Sequence, residues 1–261
     1  MKANEMRRSI CIYAVLLACG LNVSPAMATP DEIEVYTDEM SAPGEFGLEQ
    51  HLNYTVEGVK TPEYSGQMTS HHVMQATPEF YYGLSKNLEV GLYLPLAFTA
   101  DGYTFLNGVR LRLKYIAPRA SDEHLFYGLN LEAGRNSSRT SESNSAMELR
   151  PIIGYRDEKW LLSFNPILNM ALDANVSHQA DFEPALKLTH SAGEDVYAGL
   201  EYYGVYGPIN QLLPGNLRAH TVYAVVDVES RGFDVNFGIG HGLINTGDIW
   251  VAKGIIAVPF K

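Results

Sequence analysis

Alternation of apolar and polar residues, in stretches of about ten residues, constrains this chain more than any other feature. Residues 88–98 and 109–115 show it most clearly, because every second residue in each stretch is apolar or aromatic. In the second stretch the intervening positions include Arg110, Arg112 and Lys114. Three basic side chains on one face of a strand cannot lie in lipid at acceptable cost. That face must therefore meet water, a polar lumen or carboxylate partners.

The same period of two recurs along the chain between turn signals and predicts an all-β fold, an antiparallel up-and-down transmembrane β-barrel of about twelve strands. After residue 28 no stretch of about 18 apolar residues predicts a transmembrane helix. Short and long connections alternate, as expected for periplasmic turns and external loops. The strands are predicted near 46–55, 72–83, 88–98, 108–116, 124–133, 146–155, 160–171, 181–190, 196–205, 219–228, 232–240 and 249–260.

The first 28 residues resemble a cleaved export signal. A basic start precedes an apolar run over residues 10–21, and small residues at 26 and 28 predict cleavage after Ala28. A second possibility is a lipoprotein signal, in which residues 16–19 would place an acylated Cys19 at the new N-terminus. We therefore divide the chain into a signal peptide (1–28), an acidic N-terminal periplasmic segment (29–45) and a transmembrane barrel (46–261).

Composition excludes several classes of function. The chain carries a net charge of −11, and removing three basic residues and one acidic residue with the signal would lower it by two, to −13. Nucleic acid is then excluded as a partner, since it requires a basic surface. Both cysteines, Cys11 and Cys19, lie in the signal, so the predicted mature chain has no thiol for a disulfide or a metal-thiolate site.

The C-terminal strand alternates up to Phe260 and resembles the strand that the outer-membrane assembly machinery recognises. Such chains usually end on the aromatic residue, whereas this one ends on Lys261. The expected partners are therefore outer-membrane lipid and that machinery. The alternative is a soluble periplasmic β-sandwich or lipid-binding barrel, because alternation alone does not tell inside from outside.

Five prolines fall in the middle of predicted strands, where a closed barrel has no free edge for a residue without an N–H. We expect bulges or kinks at their level. They are Pro78, Pro95, Pro151, Pro166 and Pro184.

The predicted inward faces collect charged and aromatic residues, and two interpretations of them stay open. They form either a self-neutralising ion-pair network that fills a narrow lumen or a selectivity lining for a polar or aromatic solute. The candidate lumen and solute-pathway residues are Arg110, Arg112, Lys114, Glu89, Glu132, Tyr93 and Arg150.

No motif predicts an enzyme, a metal site or a cofactor. A Gly-x-Ser-x-Gly nucleophile elbow is absent from the sequence. The adjacent His71 and His72 would point to opposite faces of an extended chain. The glycine-rich residues 238–242 are not followed by a predicted helix, as a phosphate loop would be.

Short motifs are spread over the predicted mature chain at residues 44–49, 77–80, 91–95, 148–152, 164–166 and 236–240. With these motifs the chain resembles an uncharacterised family of proteobacterial outer-membrane barrels, similar to the transporter-like proteins of the phenol-degradation meta pathway. The resemblance implies an outer-membrane channel or uptake protein for small solutes, aromatic compounds among them. The alternative is a non-conducting structural or interaction barrel that uses its external loops.

The acidic segment 29–45 carries six carboxylates and no Lys or Arg. It is either a solvated periplasmic tail or a plug or gate that folds into the periplasmic mouth, with its acids facing Arg110, Arg112 and Lys114. On the second interpretation, deleting residues 29–42 raises conductance, and Arg112→Glu mimics the deletion.

Overall fold

The computed structural model describes residues 31–173, 178–230 and 232–260, which form an all-β protein. The predicted signal peptide and its cleavage site lie outside the described residues. Among those residues, no helix is long and apolar enough to cross a membrane. The elements are β1 (Phe46–Glu57), β2 (Met74–Ser85), β3 (Leu88–Tyr93), β4 (Leu96–Phe98), β5 (Thr104–Leu106), β6 (Gly108–Ile116), β7 (Leu125–Asn136), β8 (Ser145–Arg156), β9 (Trp160–Ala171), β10 (Ala180–Gly193), β11 (Val196–Val205), a 3-10 turn (Gly215–Leu217), β12 (Ala219–Ser230), β13 (Phe233–Ile244) and β14 (Trp250–Phe260).

The strands form one closed antiparallel barrel. From β6 onward each strand pairs with the next one in sequence, and β1 closes the sheet by pairing with both β2 and β14. β3 and β4 lie end to end and both pair with β2, so together they form one strand of the wall. β5 and β6 form the next strand of the wall in the same way, since β5 pairs with β4 and β6 pairs with β3. Fourteen segments therefore make twelve wall strands. The predicted fold class and strand number are confirmed.

The barrel is polar inside and apolar outside. Leu111, Leu200 and Phe237 are 64%, 55% and 51% exposed on the outer surface. Arg112, one residue along from Leu111, is 6% exposed, and Glu79 is fully buried. Successive side chains in a strand point to opposite faces, so the inward set predicted from the sequence is placed correctly. A soluble barrel has the reverse arrangement, with its apolar face inside.

Prolines interrupt the wall at one level. The pairing of β8 with β9 stops at Leu149 with Leu168 and resumes at Ile153 with Phe164, and Pro151 and Pro166 lie in this gap. Residues 94–95, which include Pro95, likewise separate β3 from β4. A residue without an N–H cannot complete the ladder, so the expected irregularities are local interruptions within continuous walls.

Connection lengths alternate with one exception. The turns between β2 and β3, β8 and β9, and β10 and β11 are short, and those at the opposite end are longer. Residues 117–124 link β6 to β7 at the short-turn end, but they number eight, so the predicted alternation is wrong there. Within this link Arg119 lies over the Phe126 ring at 5.6 Å and pairs with Asp38 from the N-terminal part of the chain.

Residues 31–45, which we call the lumenal segment, run through the barrel interior to the short-turn end, where residues 42–44 are exposed, and supply much of the apolar core. Ile33, Val35 and Tyr36 are 3%, 2% and 0% exposed. Each packs against a different part of the inner wall, Tyr36 against Phe126 and Ile33 against Val225 among others. The interior is thus filled by the chain's own N-terminal region rather than by wall side chains alone.

A tight turn leads the lumenal segment into β1. Glu45 N donates to the Ala42 carbonyl at 2.9 Å, and Gly44 has a φ of +83°. With Pro43 before it, this is the pattern of a type II turn, whose third residue favours glycine. The chain crosses β2 closely here, because a Cβ at Gly83 would lie 2.2 Å from the Ala42 carbonyl oxygen.

Candidate functional site: the charged wall around Tyr36

Tyr36 stands at the centre of the most highly charged part of the lumen. Its ring centroid lies 4.2 Å from Arg150 Cζ, 5.0 Å from Lys114 Nζ and 5.5 Å from Arg112 Cζ. The face of an aromatic ring attracts cations, and the attraction is stronger where water is excluded. Three cations from β6 and β8 therefore converge on one ring, which is fully buried.

The Tyr36 hydroxyl reaches two further residues of the wall. It lies 2.5 Å from the Tyr93 hydroxyl and donates to Glu132 Oε1 at 3.1 Å. Asn130 Nδ2 donates to the same Glu132 oxygen at 2.9 Å. The phenol of Tyr36 is thus bound at its face by cations and at its edge by hydrogen-bonding groups.

The backbone of Tyr36 is bound as well. Its N–H donates to Asn165 Oδ1 at 2.7 Å, and its carbonyl accepts from Ser163 Oγ at 2.6 Å and from Asn165 Nδ2 at 3.1 Å. A buried backbone group without a partner costs free energy. Two side chains of β9 therefore supply the hydrogen bonds that water would otherwise make to the Tyr36 backbone.

The first two carboxylates of the lumenal segment, Asp31 and Glu32, pair with two arginines. Arg110 Nη1 lies 3.0 Å from Asp31 Oδ1, and Arg110 Nη2 lies 3.4 Å from Glu32 Oε2. Arg150 Nη1 lies 3.3 Å from the other oxygen of Glu32 and 3.3 Å from the Glu34 carbonyl. One carboxylate of the segment is therefore shared between strands β6 and β8.

Arg112 pairs with the wall instead. Its Nη2 lies 2.6 Å from Glu79 and 2.5 Å from Glu89. Gly91 makes room for this pairing, since a Cβ there would lie 2.5 Å from Glu79 Oε1. The expectation that the segment's acids face all three basic residues of β6 therefore holds only for Arg110. The carboxylates that pair with Arg112 come from β2 and β3, and in the described part of the chain Lys114 contacts the Tyr36 ring instead of an acid.

A second charged cluster lies on the opposite side of the lumen and belongs almost wholly to the wall. Lys187 Nζ lies 2.8 Å from Asp227 and 3.5 Å from Glu201, and Lys253 Nζ lies 2.5 Å from Glu201. Its contact with the lumenal segment is a hydrogen bond from Lys253 Nζ to the Ile33 carbonyl at 2.9 Å.

The two mouths of the barrel differ. At the short-turn end a cavity of about 470 Å³ is lined by acidic and basic residues of the segment and the wall, Glu34, Lys114 and Lys187 among them. At the other end the long loops are hydrogen-bonded to one another. Ser70 Oγ donates to Asp248, and burial raises the pKa of the Asp248 carboxyl while this hydrogen bond opposes the rise.

Comparison with solved structures identifies the architecture. A crystal structure of the COG4313 outer membrane channel from Pseudomonas putida F1 matches with a TM-score of 0.61 and 13% identity, over 88% of this chain and 100% of that one. The likeness establishes the fold. The ΔS2S3 mutant of TodX, a monoaromatic hydrocarbon channel, matches with a TM-score of 0.44 and 10% identity, over 85% of this chain and 91% of that one. No protein-family model and no curated protein matches the sequence.

All seven candidate residues face the lumen together. Six of them contact Tyr36 or a carboxylate of the lumenal segment, and Glu89 accepts a hydrogen bond from the Ser41 backbone N–H at 2.8 Å. Their role in solute passage remains a prediction. Sequence reasoning missed the central position of Tyr36 and the role of Ser163 and Asn165 as its backbone partners. Period-two alternation predicted that Asn165 faces the lumen. Nothing in the neighbouring sequence indicates that it binds the Tyr36 backbone, 129 residues away.

Proposed function

We propose that this protein is an outer-membrane channel for small solutes, closed in the described state by the lumenal segment. The apolar exterior suits a bilayer, and the polar interior suits an aqueous path. The observation that carries the proposal is the way the segment is held. Besides the apolar contacts of Ile33, Val35 and Tyr36, it binds through ion pairs and hydrogen bonds to polar wall residues, which water and a solute could satisfy in its place.

The setting of Tyr36 favours aromatic solutes that carry a hydroxyl or carboxylate group. Its phenol occupies a space bounded by Arg112, Lys114 and Arg150, with Tyr93 and Glu132 at the hydroxyl. A free phenol or benzoate-type anion would meet the same cations and the same hydrogen-bonding groups. Tyr36 thus serves as an internal stand-in for the ring of such a solute.

Planar-bilayer recording tests the channel. The parent chain and a variant lacking residues 29–42 are purified as folded, heat-modifiable barrels and recorded at low and high salt. We expect the deletion to raise conductance severalfold at both salt concentrations, because the largely buried ion pairs that hold the segment in the parent are only weakly screened. A folded deletion variant that conducts no better than lipid alone would contradict the channel proposal.

A sealed deletion variant would favour the second candidate, a non-conducting barrel that acts through its external loops. The hydrogen bonds between long loops are the observation behind it, since Met68 N donates to the Arg139 carbonyl at 2.8 Å and Ser137 N to the Asn107 carbonyl at 2.6 Å. Such bonds hold a defined surface at one end of the barrel.

Location and sidedness are part of the proposal. A peptide tag inserted near Ser141, in a long loop, should be reached by antibody on intact cells, and a tag near Glu158, in a short turn, should not. Reversed labelling would contradict the orientation. Recovery of the protein in the soluble periplasmic fraction would contradict the membrane assignment.

A further inference from the structure

His51, Glu49 and Glu34 form a cluster that the channel proposal does not use. His51 and Glu49 lie two residues apart on β1 and so face the lumen together, and Glu34 approaches them from the lumenal segment. One ligand atom from each residue lies within 4.8 Å of the others. The cluster therefore joins the wall to the segment.

The polar atoms of this cluster are poorly satisfied. His51 is fully buried, and neither of its ring nitrogens makes a hydrogen bond; its Nε2 lies 3.4 Å from Glu49 and 3.5 Å from Glu79. Glu34 Oε2 is buried without a hydrogen-bond partner. Within the described ranges, no Lys or Arg nitrogen pairs with the carboxylate of Glu34 or Glu49, and Glu79 already pairs with Arg112. Two carboxylates and an imidazole thus converge where no lysine or arginine of the described chain pairs with either carboxylate.

We propose that Glu34, Glu49 and His51 bind one divalent transition-metal ion, with Zn²⁺ as the best match, and that the ion fastens the lumenal segment to β1. Imidazole nitrogen and carboxylate oxygen are ligands of Zn²⁺ at about 2.0–2.2 Å, and three protein ligands leave a fourth position for water. To reach those bond lengths, each ligand atom would have to move toward the ion by about 1 Å from its present position. Rotation about the side-chain bonds of the two glutamates can supply this movement. Mg²⁺ is a poorer match because it prefers an all-oxygen octahedral shell.

An ion can reach the cluster from water. Glu34 and Glu49 both line the cavity at the short-turn mouth. Because one ligand comes from the segment and two from the wall, binding of the metal favours the closed arrangement. The binding claim is independent of conduction, whereas an effect of Zn²⁺ on conductance rests on the proposed function.

Calorimetry on the folded protein tests the site. The mature chain is prepared without a polyhistidine tag, treated with chelator and titrated with ZnCl₂ in detergent. We expect saturable binding of one ion, weakened at least tenfold in His51→Ala and in Glu34→Gln. Glu34→Gln leaves the barrel wall untouched, so it reports on the site even if His51→Ala fails to fold. The matched control is His71→Ala, which removes a half-buried histidine of the loop between β1 and β2 and should leave the affinity unchanged.

The outcomes separate cleanly. Absence of saturable Zn²⁺ binding, or binding that both site variants retain and His71→Ala loses, would overturn the proposal. In the first case His51 would serve only as an ion-pair partner of Glu49 and Glu79. In bilayers Zn²⁺ should lower the open probability of the parent but not of Glu34→Gln. If calorimetry succeeds and this second measurement shows no conductance in any variant, the channel fails and the metal site stands.

Discussion

The two charged walls of the lumen are built from the same kinds of residue but are paired differently. The arginine wall, with Arg110 and Arg150, is completed by Glu32 of the lumenal segment. The lysine wall, with Lys187 and Lys253, is completed by Glu201 of β11. Glu32 and Glu201 therefore occupy equivalent positions, each a carboxylate between two cations, but one belongs to a removable segment and the other to the barrel.

This difference shows that charge in a lumen has two uses. Ion pairs between strands hold the wall together, whereas ion pairs between wall and segment hold the barrel shut. Breaking a buried pair leaves an uncompensated charge, and the consequence depends on what the lost partner was attached to. The arginine wall should govern conduction and the lysine wall stability.

Neutralising the two carboxylates in parallel should give the largest contrast. Glu32→Gln removes the carboxylate that Arg110 and Arg150 share, although Asp31 and Glu148 still pair with them, and the loss of two charge-assisted contacts should weaken closure by about 2 kcal/mol, a change on the order of thirtyfold in the closed-to-open ratio. Glu201→Gln should leave conductance at the parental level and lower thermal stability instead. Single-channel recording and heat modifiability on gels measure the two effects. Equal opening by both variants would remove the distinction between the walls.

Substitutions at Tyr36 should sharpen the contrast within the arginine wall. Tyr36→Ala removes the ring and its contacts with three cations, each worth about 0.5–2 kcal/mol, and should open the channel clearly. Tyr36→Phe keeps the ring and loses only the hydrogen bonds of the hydroxyl, so its effect should be smaller. Added 4-hydroxybenzoate should reduce the conductance of Tyr36→Ala by occupying the vacated space. No response to the compound would contradict the aromatic preference.

Lys253→Met should have the smallest effect on conductance. The substitution keeps much of the side-chain volume but removes one of the two ammonium groups that pair with Glu201, which Lys187 still reaches at 3.5 Å. We expect a lower unfolding temperature and unchanged closure, both measured on the protein in detergent. A large rise in conductance would mean that the hydrogen bond to Ile33 holds the segment more strongly than the arginine pairs do.

Much of the barrel could be predicted because its information is local. Period-two alternation predicted the wall strands and predicted that Arg112, Glu132 and Lys253 face the lumen. Pairing in the lumen could not be predicted in the same way, since Arg112 lies diagonally across from Glu89 of β3 and also close to Tyr36 of the lumenal segment. Only the three-dimensional positions show that Glu79 and Glu89 take it, so Arg112→Glu would first disturb the wall, and Glu32 is the better residue for testing closure.

The contact between Lys253 and Ile33 also bears on how the barrel is made. It joins residues 220 positions apart, at opposite ends of the described chain, and contacts of such separation are slow to form because of the entropy of loop closure. The final strand β14 brings a buried ammonium to the seam with β1, and one of its acceptors belongs to the lumenal segment. A barrel that closed before the segment had entered would seal that lysine without this acceptor. Lys253 therefore gains this acceptor only if the lumenal segment is in place when β14 pairs with β1.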